Sequence, residues 1–264
     1  MKIVRFTRKH NKPEAGILQS DGSIQIIAGD LLGAYEKTGV TCHTEEIKRY
    51  LPPVVPPNIF ALGLNYREHA IETKAEIPKA PLIFIKATTS LTAHQQTIFL
   101  PKPAPNEVDY EAELVIVIGK KARNVKPEEA AAYIFGYTCG NDVSARDCQK
   151  RLDKQWARAK SFDTFAPTGP VIETELDPGN LKIRSILNGK VMQDSTTADL
   201  IFSVPQIVSY FSRNFTLLPG TLIFTGTPPG VGLARTPPRF LQPGDKIEIE
   251  VEGIGRLENT VQEE

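Results

Sequence analysis

Asp109-Tyr110-Glu111-Ala112-Glu113-Leu114-Val115-Ile116-Val117-Ile118-Gly119 is the stretch on which the fold turns. Its apolar, β-branched run reads as a strand, and a period of two puts Glu111 and Glu113 on the same face. Two anions held close on an otherwise apolar strand repel each other and lose hydration, unless a cation neutralises them or one takes up a proton. The solvated face of an edge strand fits the same spacing. A second acidic segment, Gly140-Asn141-Asp142-Val143-Ser144-Ala145-Arg146-Asp147, favours the cation: it follows an apolar run and has no amphipathic helix to solvate it. Asp142 is suited to complete a three-carboxylate site. Oxygen ligands of this kind, with no partnered His or Cys, suit Mg2+, Mn2+ or Ca2+ better than zinc or copper.

Outward from this stretch, further strands are expected at Ile59 to Gly63, Leu82 to Lys86, Leu181 to Leu187, Leu222 to Thr225 and Lys246 to Glu252. Helices are expected at Lys126 to Ala132, after a proline, and at Val204 to Phe211. The first fifty residues alternate short β-like runs, Lys2 to Phe6, Gly16 to Gln19 and Ser23 to Ile27, with turn signals, then a helical stretch from Thr44 to Tyr50. Pro52-Pro53-Val54-Val55-Pro56-Pro57 reads as a stiff linker, because its prolines supply no backbone donors and favour extended geometry. The expected organisation is a small β-rich N-terminal domain over 1–51, a linker over 52–57 and a catalytic domain over 58–264. Strands without regular βαβ alternation argue against a doubly wound sheet and for an α+β fold dominated by a mixed β-roll or sandwich.

With 41% hydrophobic and 23% charged positions in 264 residues, the chain has material for a sizeable core. Thirty-one basic residues balance thirty-one acidic ones, so no global field draws in nucleic acid or an anionic membrane, and a small molecule is the expected partner. Cys42, Cys139 and Cys148 are odd in number and lack zinc-type spacing, which fits a reducing compartment. The start of the chain turns polar at Thr7, and no apolar run approaches the roughly 20 residues of a membrane span. A soluble cytoplasmic protein is expected, with an organelle interior as the alternative.

Among four histidines, His69 stands out. One helical turn brings Glu72 onto its face, where the carboxylate can orient the imidazole and raise its basicity; a plain surface contact fits the same spacing. Glu72 to Pro81 is polar and broken by Pro78 and Pro81, as a lid would be. Thr225-Gly226-Thr227-Pro228-Pro229-Gly230-Val231-Gly232 is a glycine-rich turn after an apolar strand, with backbone N–H groups and hydroxyls able to bind a carboxylate. It lacks the lysine of a P-loop.

Five segments in order, Gly63 to His69, Asp109 to Glu113, Asn141 to Asp147, Lys160 to Asp163 and Thr225 to Gly232, resemble the signature of the fumarylacetoacetate hydrolase family. The runs Lys154-Gln155-Trp156 and Phe162-Asp163-Thr164-Phe165, with Pro237-Pro238, are most similar to its domain-containing protein 2 subgroup. The resemblance implies a mixed β-roll, a homodimer, and Glu111, Glu113 and Asp142 as metal ligands. It implies His69 and Glu72 as the general-base pair on a lid, Lys160 as partner of an enolate oxygen, and Arg146, Gln149 and Thr227 as substrate contacts. The expected activity is on 2-oxo acids through a cation-stabilised enolate, foremost C–C hydrolysis of acylpyruvate or fumarylacetoacetate-type substrates. Oxaloacetate tautomerisation or decarboxylation, or isomerisation or hydration of unsaturated 2-oxo dioic acids, is the alternative, and a non-catalytic metal-binding protein is a third.

Overall fold

The computed structural model describes residues 1–264 and is dominated by strands in mixed sheets. The acidic stretch supplies a strand, Ala112–Ile118, in which every residue is buried. It is no edge: Ile134–Asn141 pairs with it on one side and Leu222–Phe224 on the other, both antiparallel. The solvated-face alternative fails for that reason, since both neighbours and both faces of this strand are covered. Its alternation sends Leu114, Ile116 and Ile118 into the larger core and Val115 and Val117 into a smaller one with Ile59, Ala61, Phe84 and Phe224. Glu113 has the parity of Val115, so the carboxylate side of the strand faces the smaller core.

The twelve-stranded sheet continues from Leu222–Phe224 to Ile59–Gly63, in parallel, and ends at Leu82–Lys86. In the other direction it passes through Ala166–Glu173 to Lys2–Thr7, where Lys2 pairs with Glu173 and Ile3 with Ile172. The strands of the first fifty residues thereby extend the large sheet. A five-stranded sheet built on Lys182–Leu187, Lys246–Val251 and Gly255–Glu263 packs Ile183, Ile249 and Leu257 into the larger core. The cores lie either side of the acidic strand, which sets its carboxylates deep in protein.

Val204–Asn214 is the one long helix. Ser203 and Gln206 form its capping box, Pro205 sits in the first turn, and Val204, Ile207, Val208 and Phe211 are buried at helical spacing. Truncating Phe211 to alanine removes a fully buried ring and costs about 3–5 kcal/mol. The helical reading of Thr44 to Tyr50 is corrected: a single 3₁₀ turn, Thr44–Glu46, precedes a short strand, Arg49–Tyr50, that pairs with Phe6 and Thr7. Sheet hydrogen bonds outweigh local propensity there. Pro127–Tyr133 is likewise a 3₁₀ segment rather than an α-helix. No helix is long and apolar enough to cross a membrane.

Candidate active site

The pairing of Ala112 with Asn141 across the two central strands brings Glu111 beside Asp142. The Asp142 backbone N–H donates to the Glu111 carbonyl at 3.0 Å, and the Glu111 N–H donates to Asn141 Oδ1 at 2.9 Å. Ligand oxygens of Glu111, Glu113 and Asp142 consequently lie within 4.8 Å of one another, with Glu113 and Asp142 fully buried. The Gly226 N–H donates to Glu113 Oε2 at 2.7 Å. Gly226 has φ +98°, and a Cβ there would stand 2.7 Å from that of Asn65, so glycine is required where this donor meets Glu113.

Three buried cations surround the triad. Lys160 Nζ donates to Glu111 Oε2 and Asp142 Oδ2, both at 2.7 Å. Lys86 Nζ contacts Asp142 Oδ1. Arg146 spans Glu111 Oε1 at 2.7 Å, Asp109 Oδ2 at 2.9 Å and Gln149 Oε1 at 2.9 Å. Asp109 is fixed in turn by the N–H groups of Gly232 and Leu233. Against Lys86, Arg146 and Lys160 stand four carboxylates, those of Asp109, Glu111, Glu113 and Asp142, so one negative charge is in excess.

The excess falls on Glu113. Burial first, then the Asp142 and Glu111 charges, push its carboxyl well above the ordinary range. Burial acts the same way on Glu111, but Lys160 and Arg146 outweigh it and hold that carboxyl at about 2. Burial likewise opposes the Lys160 charge, and Asp142 and Glu111 override it, leaving the ammonium above its usual value. Glu113 Oε1 is buried with no hydrogen-bond partner. An unpartnered carboxylate oxygen within a triad of hard oxygen donors fits a divalent cation, which would satisfy that oxygen and reverse the excess charge.

Above the triad lies a cleft of about 350 Å³. Glu111, Arg146, Gln149, Lys160, Thr227 and His69 all line it, while Glu113 and Asp142 lie behind its wall. His69 is on the short helix Arg67–Glu72, and its Nδ1 is 2.9 Å from Glu72 Oε2. Glu72 Oε1 accepts the Gly230 N–H at 2.8 Å, which ties this helix to the glycine-rich turn. A carboxylate acceptor at Nδ1 assigns the proton to that nitrogen and leaves the Nε2 lone pair available. The Thr227 hydroxyl donates to the Ala112 carbonyl at 3.1 Å and accepts from Gln193 Nε2 at 2.8 Å. Phe84 and Trp156, edge to face at 5.5 Å, add apolar lining, with Lys160 Nζ 5.3 Å from the centre of the Phe84 ring. A Cβ on Gly63 would come 2.3 Å from the Trp156 ring, so that indole seats only on a glycine.

Four residues of the site escape a reading by motif. Lys86 closes a strand, and its only signal is parity: Phe84 and Lys86 share the inward face. Asp109 stands inside the acidic motif without a marked role. Asn141 and Gln193 act by side-chain bonds to the Glu111 and Ala112 N–H groups, which depend on long-range register.

Comparisons with known proteins agree with this architecture. The model of the fumarylacetoacetate (FAA) hydrolase C-terminal family matches residues 58–262, and that of an Rv2993c-like N-terminal region matches residues 1–53. A fumarylacetoacetate hydrolase domain-containing protein 2 homolog of Dictyostelium discoideum is 50% identical over 222 residues, 79% of this chain and 72% of that protein. Oxaloacetate tautomerase Fahd2a, mitochondrial, of Rattus norvegicus is 43% identical over 216 residues, 80% of this chain and 69% of its own. The crystal structure of 5-carboxymethyl-2-hydroxymuconate delta-isomerase from Mycobacterium smegmatis superposes with a TM-score of 0.90 at 38% identity, covering 100% of both chains. Strand order, acidic triad and sequence together place the chain in the fumarylacetoacetate hydrolase family.

Proposed function

We propose that the protein is a divalent-metal-dependent enzyme that shifts a proton at C3 of 2-oxo acids, with oxaloacetate keto–enol tautomerisation as its foremost reaction. The observation that carries this is the His69–Glu72 pair facing a cleft whose inner end is formed by Glu111, Arg146 and Lys160. Glu111, Glu113 and Asp142 hold the ion, Mg2+ or Mn2+ by donor type, with Ca2+ also compatible. When bound, such a cation polarises a keto oxygen and stabilises the negative charge left there by deprotonation at C3.

His69 Nε2 takes the C3 proton, and the C–H electron pair moves into the C2–C3 bond as the keto oxygen gains charge. Glu72 positions the imidazole and stabilises its protonated form. Lys160 and Arg146 turn positive charge toward the developing oxyanion, while Gln149 and the Thr227 turn orient the substrate. Returning a proton to that oxygen gives the enol, and the reverse path restores the ketone. Relatives support tautomerase chemistry, as in the Rattus norvegicus protein, and isomerase chemistry, as in the Mycobacterium smegmatis one.

Hydrolysis of an acylpyruvate is the second reading, favoured by the same dyad, since an imidazole held by a carboxylate also activates water. A panel of 2-oxo acids followed by ultraviolet loss of the enol band, with metal and with chelator, separates the two. Chelator-sensitive decay of enol-oxaloacetate supports the tautomerase. Cleavage of acetylpyruvate to two acids supports the hydrolase, and inertness toward both overturns the enzymatic reading. Three unpaired cysteines support a reducing compartment such as the cytoplasm.

A further inference from the structure

Arg146 and Lys160, two of the three lysine and arginine side chains lining the cleft, are already paired with buried carboxylates at 2.7–2.9 Å. Lys150 lines the same cleft with no carboxylate paired to it. It lies in the π-helical turn Cys148–Leu152 that continues the helical backbone begun at Arg146. Arg146, Gln149 and Lys150 all line the cleft, and Arg146 donates to Gln149 Oε1 at 2.9 Å. This lining runs from a buried guanidinium beside Glu111, through a buried amide, to Lys150, the exposed residue of the three. The charged groups that bear on Lys150 are Arg146, Glu111 and Lys160, two cations to one anion. Burial first, and Arg146 next, lower its pKa, as expected of an ammonium that lacks a counter-ion.

A ligand whose reacting end lies against Glu111, Arg146 and Lys160 shares the cleft with Phe84, Trp156 and Lys150. We propose that Lys150 binds the distal carboxylate of a 2-oxo dicarboxylic acid and so makes the cleft selective for dicarboxylates over 2-oxo acids with an uncharged far end. The inference rests on the 2-oxo acid reading above and narrows its substrate class. Glu76 also lines the cleft, and a latch between Lys150 and Glu76 is the competing role for the same ammonium.

The test compares wild type, Lys150→Met and Lys150→Arg in metal-loaded full-length protein. Turnover of oxaloacetate and of acetylpyruvate is measured, and oxalate, which has no carbon chain between its carboxylates, is titrated calorimetrically. The expected result is a loss of about tenfold in the preference for oxaloacetate in Lys150→Met, carried by KM. Oxalate affinity stays within about twofold, and Lys150→Arg recovers most of the preference. An unchanged preference in Lys150→Met, with wild type still binding oxalate, overturns the role of Lys150 alone. Equal losses on oxaloacetate, acetylpyruvate and oxalate, reproduced by Glu76→Gln, overturn it in favour of the latch. Failure of wild type to bind any of the three sinks the 2-oxo acid reading and this assignment with it.

Discussion

Two groups of charges, on different sheets, obey the same alternation and meet opposite fates. On Lys246–Val251, residues 246, 248 and 250 point outward, where Lys246 pairs with Glu248 and Glu258, and Arg256 with Glu250 and Glu248. Water solvates whatever charge those pairs leave over. On the acidic strand the same period turns Glu113 toward a covered face, beside Glu111 and Asp142, and no water shares the load. There each carboxylate needs its own partner, and three cations serve four anions. Charge at a surface is tolerated, whereas charge inside must be balanced group by group, and an imbalance marks a place for a ligand.

The sharpest way to break that contrast is Glu113→Gln. The amide mimics the protonated carboxyl, so metal-free thermal stability should match wild type at acid pH and exceed it once pH rises above the unfolded carboxyl range. Metal affinity should fall by at least about 100-fold, exceeding the effect of losing a partner one step removed from an ion. Calorimetric titration with Mn2+ alongside a melting curve checks both halves. A strong loss of metal-free stability with metal affinity intact would show Glu113 to be a structural carboxylate. His69→Ala comes next: kcat should fall by about 10² to 10⁴-fold, the range for a lost general base. The rise in Tm on adding metal should survive, because His69 lies outside the triad. A variant that loses metal binding as well would move His69 into the ligand set.

A smaller effect tests the sign of the imbalance. Glu113 has a folded-state pKa above its unfolded value, so the stability it contributes is full below the unfolded carboxyl range and is lost as pH rises through the folded value. Metal-free protein should therefore lose Tm as pH climbs out of the acid range. A divalent cation competes with that proton, so its stabilisation should grow over the same window, to about 2.7 kcal/mol at a hundredfold excess over Kd. Melting curves across pH with and without Mg2+ read this directly. In Glu113→Gln the component of the pH slope owed to this carboxyl should vanish. A metal increment independent of pH in wild type would assign the surplus proton elsewhere.

Much of this site is legible along the chain because its residues sit in local motifs. Glu111 and Glu113 follow from parity, His69 and Glu72 from one helical turn, and the Thr227 turn from its glycines. Lys86 is not legible in that way. A lysine closing a strand ordinarily ends in water, and its burial here follows from strand packing and from Asp142 arriving out of another strand. The strands Ile134–Asn141 and Ala166–Glu173 are equally hidden, since glycines and prolines interrupt their apolar pattern and long-range pairing holds them. Thr44 to Tyr50 reads as a helix for the converse reason: local propensity is plain, and the pairing that overrides it comes from Phe6 and Thr7.

The outer cluster supplies the smallest effect and the control for all the others. Arg256 bonds Glu250 at 2.6 Å, as short as any pair in the buried cluster apart from Lys86 with Asp142. Distance alone would rank it beside Lys160. But its side chain is about half exposed, so losing the pair leaves Glu250 to water rather than to protein. Arg256→Ala should move Tm by less than about 2 °C, given how little exposed pairs contribute. Activity and the response to metal should be unchanged. A drop comparable to that of a buried-pair variant would mean that geometry, not burial, sets the worth of an ion pair in this protein, and the contrast between the two clusters would fail.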